Sequence, residues 1–358
     1  MTSCSSRFNA LFIKRKKSNI ITCKNLPTYT SPYTSSSLDE AKLPITFSSI
    51  PFTYARFNYQ IHQKGVAIRP ILFLPLINNA QGGHVVLDAL GRSKDFINMN
   101  TDDAFILRHH SKPFATTTGR NVIYGPSLTS LKKKFWPFVL NPATGFLYVL
   151  LDFEQQEPAI AACFAKDREL LAAYLVGDLY LHVGSHPHLA SLDRNSLKKL
   201  VLPYSYGQSA AAYAREYKIP LEVAQRYWRA LKEIFHRVDA ELNHRSQQAF
   251  RDGYVRCLDW AAGVTPLSNP LSVRNWPVQA TGADIMRRAV IGLVDAGLDL
   301  RLTIHDAFLI RVPVAEHEQQ IAKAIAVLKQ ASAVVLDGFE LNVKVDGVYD
   351  GQVSGEMM

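Results

Sequence analysis

Two apolar runs, each closing on an aspartate, constrain this chain more than any other feature. In "LTIHDAFLIRV" (302–312), Leu302 and Ile304 stand on one side of His305-Asp306, and Phe308, Ile310 and Val312 on the other. Period-two alternation around a two-residue polar break predicts a β-hairpin with Asp306 at its tight end. "FLYVLLDF" (146–153) predicts a second, buried strand that ends near Asp152. Aspartate favours turns because its side chain bonds nearby backbone N–H groups, and many strands end in an exposed one. If these two strands are sheet neighbours, however, two carboxylates come together and repel unless a cation neutralises them. Hard oxygen donors suit Mg²⁺, and paired Mg²⁺ ions organise in-line phosphoryl transfer.

Helices are predicted between and after these strands. Pro158 suits the first turn of a helix that continues through "AIAACFAKDRELLAAYLVG", with Gly177 as its stop. "NSLKKLVLPYSYG" has helical spacing despite Pro203, 220–250 reads as one long amphipathic helix, and 283–297 ends on a glycine cap. A last helix is expected over 315–334, then a strand near "LNVKVD". Signals are weak over 41–115, where "GGHVVLDAL" reads as a short strand or buried turn. No internal repeat is visible. The order is that of an α+β fold, with helices inserted between separated strands. Arg194, Lys198 and Tyr206 recur at four- and eight-residue intervals. Four-residue spacing puts both cations on one helix face, where they suit a triphosphate, with Tyr206 free to stack on a base. The same pattern also fits a solvated basic stripe beside a buried tyrosine.

Composition narrows the choice of partner. A formal net charge of +9 suits an anionic partner such as nucleic acid. The four cysteines are scattered with no CxxC pair, which argues against a disulfide scaffold or structural zinc and suits a reducing compartment such as the cytoplasm. No run of 18 apolar residues predicts a membrane span; "PILFLPLI" (70–77) is too short and contains Pro75. The first 38 residues hold six Lys or Arg, thirteen Ser or Thr and no Asp or Glu. Residues 1–40 therefore read as a basic flexible tail or linker, with a nucleic-acid arm or an organellar targeting segment as the alternatives.

Five short segments, taken in order, resemble family A DNA polymerases over roughly 118–350. They are Thr118-Gly119-Arg120, "DFEQQE" at the strand end, "RNSLKKLVLPYSYG" with Arg194, Lys198, Tyr206 and Gly207, "QATGAD", and "HDA" at the hairpin. The resemblance implies a right-hand polymerase fold: an antiparallel-sheet palm, helical fingers and a reduced thumb. The N-terminal extension and thumb would occupy 41–117. The palm would take 118–157 and 271–358, and 158–270 would be mainly fingers. It also implies template-directed attack of a primer 3′-hydroxyl on the α-phosphate of a dNTP, with Asp152 and Asp306 holding two Mg²⁺ ions or substituting Mn²⁺. Arg194 and Lys198 would bind the triphosphate, Lys198 also acting in catalysis. Tyr206 would shape the nascent pair pocket, Leu202 would contact the nucleotide near the sugar 3′ position, and Glu157 would exclude a ribose 2′-hydroxyl. His182 would lie on the triphosphate side. Arg120, Asn275 and Gln279 would touch primer–template DNA, and His305 the primer terminus. A monomer is expected, with no membrane contact and with a processivity or replication partner.

Several residues depart from the family pattern. Ala307 stands where an acid is usual, Leu202 where a bulkier or aromatic residue is usual, and Pro203 where glycine is usual. Proline lacks an amide donor and crowds the preceding turn, so a kink is expected there. Fewer than 120 residues precede Thr118 and carry no spaced acidic constellation, so this chain is expected to lack 3′–5′ proofreading. Two other readings compete: a nucleotide-flexible polymerase using NTPs or RNA templates, and a degenerate fold kept for primer–template binding. Glu157 argues against the first. Asp152, Asp306, Arg194 and Lys198 argue against the second.

Overall fold

The computed structural model describes residues 50–68, 105–124, 127–131 and 133–352. The chain opens with α1 (Ile50–Lys64), followed by four short strands, β1 (Val66–Ile68), β2 (Phe105–Leu107), β3 (His110–Lys112) and β4 (Val122–Tyr124). Next come β5 (Phe146–Phe153) and a helical series: α2 (Gln156–Ala165), α3 (Arg168–Val176), α4 (Leu179–Gly184), α5 (Arg194–Ser205), α6 (Ala210–Tyr217), α7 (Leu221–Ile234) and α8 (His236–Asp252). A small hairpin, β6 (Tyr254–Arg256) and β7 (Ala261–Gly263), leads into the long α9 (Pro270–Asp295). The chain ends with β8 (Asp299–Ile304), β9 (Ala307–Pro313), α10 (His317–Val335) and β10 (Val343–Tyr349).

Both apolar runs form the strands that their patterns require, and they are neighbours. The central sheet is antiparallel in the order β10-β5-β9-β8. Both faces are covered. Val149, Leu151, Phe153, Phe308, Ile310 and Val312 point into the main core with the helices. Tyr148, Leu150, Leu302 and Leu309 point into a second core completed by Val66, Ile68, Leu107, Trp136 and Leu140. Two-sided burial explains why "FLYVLLDF" is apolar almost throughout instead of alternating with polar residues. The result is an α+β fold with an antiparallel sheet.

Three helices differ from their sequence expectation. The helix expected through 177 is two, because Lys166 adopts a left-handed conformation (φ 49°) and Asp167 caps α3, accepting from Glu169 N and Leu170 N at 3.2 Å each. Gly177 ends α3 as expected. The 220–250 helix divides at Phe235, whose ψ of 15° turns the chain between α7 and α8. The helix expected over 283–297 begins much earlier, at Pro270, capped by Asn269. Its start is a proline in the first turn, a position where the missing N–H has no partner to lose. Pro203 does not end α5; two further residues stay helical after it.

Residues 41–115 conceal α1. Tyr54, Phe57 and Ile61 lie along one face of it in the main core, and the helix rests on α9. "GGHVVLDAL" and the basic N-terminal stretch lie outside the described residues. Among the described residues, no helix is long and apolar enough to cross a membrane.

Candidate active site

Strand register builds an acidic wall. Asp152 sits opposite Ala307 across the β5–β9 pair, so Asp306, the preceding residue, is its immediate neighbour. Phe153 N donates to Asp306 O at 3.2 Å, tying the strand end to the turn. His305 takes the left-handed conformation (φ 50°) that this two-residue turn demands. Burial pushes the Asp306 carboxyl up to about 6, the Asp152 charge adds to the shift, Glu157 adds less, and Arg120 opposes it. On the other flank, Lys344 of β10 pairs with Asp152 in the register, its Nζ 3.3 Å from Asp152 Oδ2 and 3.5 Å from Asp346 Oδ1. Lys133 forms an ion pair with Asp346. Burial holds the Lys133 ammonium below the usual lysine range, while Asp152 and Asp306 act in the opposite direction.

Across a cleft of about 710 Å³ stands a basic wall. Asp193 caps α5, accepting from Ser196 N at 2.7 Å, and fixes where the helix starts. Arg194, Lys198 and Leu202, each one turn apart, all line the cleft, as the four-residue spacing requires. Arg194 is ion-paired with Asp178, the cap of α4, and its guanidinium lies 5.6 Å from the Tyr180 ring centre. Tyr206 follows the last residue of α5 and donates its hydroxyl to Glu157 Oε2 at 2.5 Å. Burial first, then this bond to Glu157, push the Tyr206 phenol up to about 12. The other oxygen of Glu157 pairs with Arg120, so this acid is held from both sides.

Gly119 and Gly282, which line the cleft, each make a close approach. A Cβ on Gly119 (φ 73°) would lie 2.8 Å from the Trp260 ring, and the Gly119 carbonyl accepts from buried Arg287 at 3.0 Å. These contacts fix the loop that delivers Arg120. A Cβ on Gly282, within "QATGAD", would lie 2.9 Å from Gln156 Oε1, so glycine lets α9 lie against α2.

The cleft thus brings together Asp152, Asp306, Glu157, Arg120, Arg194, Lys198, Leu202, Tyr206 and exposed His305. Three expected residues fall outside its lining. His182, on α4, faces Glu169, Nε2 to Oε1 3.8 Å. Asn275 is buried on α9, donates to Leu271 O at 3.4 Å, and lines a neighbouring cavity of about 40 Å³ shared with Glu157, Leu202 and Tyr206. Gln279, one turn further along α9, bonds the Tyr206 hydroxyl. Lys133, Asp178, Tyr180 and Lys344 were not singled out in the sequence. Lys344 becomes visible only when β10 is known to pair with β5.

Among the described residues, no three His, Cys, Asp or Glu side chains cluster as a metal site. Asp152 and Asp306 are a two-carboxylate wall. That donor set fits Mg²⁺, which takes one or two carboxylates and fills its remaining positions with water and substrate phosphates. Burial first, then the Asp152 charge, raise the Asp306 carboxyl, and among the described residues Asp306 has no ion-pair partner.

Comparison with known proteins identifies the family and the fold. The sequence profile "DNA polymerase family A" matches residues 99–349. The DNA polymerase of Mycobacterium phage L5 is 26% identical over 238 residues, covering 64% of this chain and 39% of the phage protein. The thermostable DNA polymerase I of Thermus aquaticus is 28% identical over 204 residues, covering 51% of this chain and 24% of that enzyme. The chain therefore spans well under half the length of these curated relatives. The POL domain of Pol1 from M. smegmatis, solved in complex with DNA primer-template and dNTP, shares the fold with a TM-score of 0.60 at 22% identity, covering 74% of this chain and 49% of that one. The profile match takes in the acid hairpin, β5, α5 and α9 together, and on that ground this chain belongs to DNA polymerase family A.

Proposed function

We propose that this chain is a template-directed DNA polymerase that adds dNTPs to a primer 3′-hydroxyl. The observation that carries the reading is the cleft itself: Asp152 and Asp306 meet on one wall and face Arg194 and Lys198 on the other. Asp152 and Asp306 would hold two Mg²⁺ ions, or Mn²⁺ in their place. Such ions ease formation of the attacking alkoxide and stabilise charge on the leaving phosphates. Arg194 and Lys198 bind the triphosphate and aim its α-phosphate at the primer, and Lys198 stabilises the departing pyrophosphate. The new bond joins the 3′-oxygen to the α-phosphorus as the bond to pyrophosphate breaks.

Glu157 excludes the ribose 2′-hydroxyl, and its double anchorage by Arg120 and Tyr206 gives that exclusion a fixed edge. Tyr206 shapes the base-pair pocket, and Leu202 contacts the nucleotide near its sugar 3′ position. Arg120, Asn275 and Gln279 test the minor-groove edge, which presents similar acceptors on correct pairs. His305, exposed at the hairpin turn, meets the primer end. His182 reaches the triphosphate only if the α3–α4 corner moves toward the cleft. In this reading 118–157 and 271–358 form the palm, 158–270 mainly the fingers, and 41–117 the extension and reduced thumb. The chain works as a monomer with a processivity or replication partner, in the cytoplasm or nucleoid, or in an organelle if the basic N-terminus is a targeting segment.

Extension of a labelled primer on a DNA template, with Mg²⁺ and either dNTPs or NTPs, tests this directly. Wild type should extend with dNTPs, and Asp306→Asn should not. Primer binding without extension by wild type would replace the enzyme with a binding module. Equal extension with NTPs would remove the sugar-excluding role of Glu157.

A further inference from the structure

We propose that Lys344 is a built-in competitor of the divalent cation: its ammonium occupies Asp152 until the metal displaces it onto Asp346. The proposal rests on the reading of Asp152 as a metal ligand.

The placement is set by the backbone. In the β10–β5 register Lys344 lies directly across from Asp152, and Ala307 lies across from it on the other side. The flanks of Asp152 are therefore one ammonium and one methyl group. Lys344 Nζ stands 3.3 Å from Asp152 Oδ2 and 3.5 Å from Asp346 Oδ1, so it spans two carboxylates. Its side chain is 43% exposed and lines the cleft, which leaves it free to swing. Asp346 can receive it, but Lys133 is already paired there and repels a second ammonium.

An ammonium is a compact, strongly hydrated point charge with donors only. It cannot share the same carboxylate oxygen with a dication without strong repulsion at such short range. Loading the metal at Asp152 must therefore break the Lys344 pair and crowd Lys344 against Lys133. The acids alone would bind the cation more tightly than the site does. With Ala307 supplying no further carboxylate, Lys344 is the side chain beside Asp152 that sets the threshold.

The test is Mn²⁺ binding to the full chain, followed by the electron paramagnetic resonance of free Mn²⁺, in wild type and in Lys344→Arg, Lys344→Met, Lys344→Glu and Asp152→Asn. Lys344→Met should tighten binding about three- to fivefold, the scale of one exposed ion pair. Lys344→Glu should tighten it further, and Lys344→Arg should behave as wild type. Thermal melting of each variant checks that the fold is kept. Unchanged or weaker Mn²⁺ affinity in Lys344→Met overturns the proposal. So does a loss of primer–template affinity with Mn²⁺ affinity unchanged, which would make Lys344 a DNA-phosphate contact. If Asp152→Asn abolishes binding while Lys344→Met leaves it unchanged, only the lysine proposal fails. If Asp152→Asn leaves Mn²⁺ binding intact, the metal-ligand reading fails beneath it and the lysine proposal goes too.

Discussion

Asp306 is held beside Asp152 by the sheet register and, among the described residues, has no ion-pair partner, whereas Arg194 and Glu157 across the cleft already have partners of opposite charge. Asp306 bears the consequence in a carboxyl pushed up to about 6 by burial and by Asp152. On the facing wall, Arg194 rests on Asp178, and Glu157 is clasped by Arg120 and Tyr206. One wall is thus fixed in position, with Lys344 paired to Asp152 and Asp306 left without an ion-pair partner among the described residues. The other is nearly neutral within itself and must let go of something before it grips a phosphate. A cleft built this way favours a cation at the sheet before an anion at α5.

The sharpest way to break this comparison is to remove the acid wall's charge. Asp306→Asn should lower single-turnover extension by more than about 100-fold, since even disturbing a ligand's support costs 10- to 100-fold. A variant that retained a tenth of wild-type extension would show that the two acids do not act as a pair.

On the basic wall the two cations should separate. Among the described residues Lys198 forms no ion pair, while Arg194 must first leave Asp178. In its proposed role, part of what Arg194 would gain on the triphosphate offsets that loss. Lys198→Ala should therefore reduce kcat/KM for dNTP by about 10- to 100-fold, the range for a charge-assisted hydrogen bond, and Arg194→Ala by less. Steady-state kinetics with saturating primer–template measures both. The reverse order would mean that the Asp178 pair imposes no penalty, and the asymmetry between the walls would be lost.

Stability reports the same difference more gently. The Asp306 carboxyl is raised from 3.8 to about 6 in the fold. Between those values the folded chain holds a proton that the unfolded chain has released, so stability falls as pH rises through this window. Above about 6 the loss is fully incurred. Asp306→Asn should therefore melt higher than wild type at pH 7.5 without divalent cations, by about 1–2 kcal/mol, and the gap should close toward pH 4. Equal melting at both pH values would show that Asp152 and burial exert no net strain on Asp306.

How much of this was legible in the sequence follows the same division. The acid wall could be read because strand alternation is local and the turn residues mark its end. Asp152 and Asp306 stand at ends of apolar runs, and the only missing fact was that the runs pair. Arg194 and Lys198 could be read because helical spacing is local too. The partners could not. Asp178, Lys133 and Lys344 meet the site through tertiary pairing, and nothing near "LNVKVD" says that its lysine faces Asp152. Local chemistry also hid two helix breaks. Lys166 and Phe235 carry no glycine or proline signal, yet each turns the chain, because Asp167 offers a cap after one and the core takes up the other.

The smallest effect is expected at Tyr206, where the two kinds of wall meet. Its hydroxyl holds one oxygen of Glu157 while Arg120 holds the other. Tyr206→Phe removes the bond to Glu157, keeps the Arg120 pair and leaves the ring lining the cleft. Tyr206 is 42% exposed, so water can take the place of the lost donor. Glu157 should stay within reach of its position but lose one fixed edge. Discrimination between dNTP and NTP should fall about two- to fivefold, in line with a net hydrogen bond of about 0.5–1 kcal/mol. Arg120→Ala, by contrast, removes a charge and should relax discrimination more than Tyr206→Phe does. Competition between dATP and ATP for the same primer end measures the ratio for both variants. A larger loss for Tyr206→Phe than for Arg120→Ala would invert the assignment. It would make the phenol, and not the guanidinium, the group that holds Glu157 against the sugar.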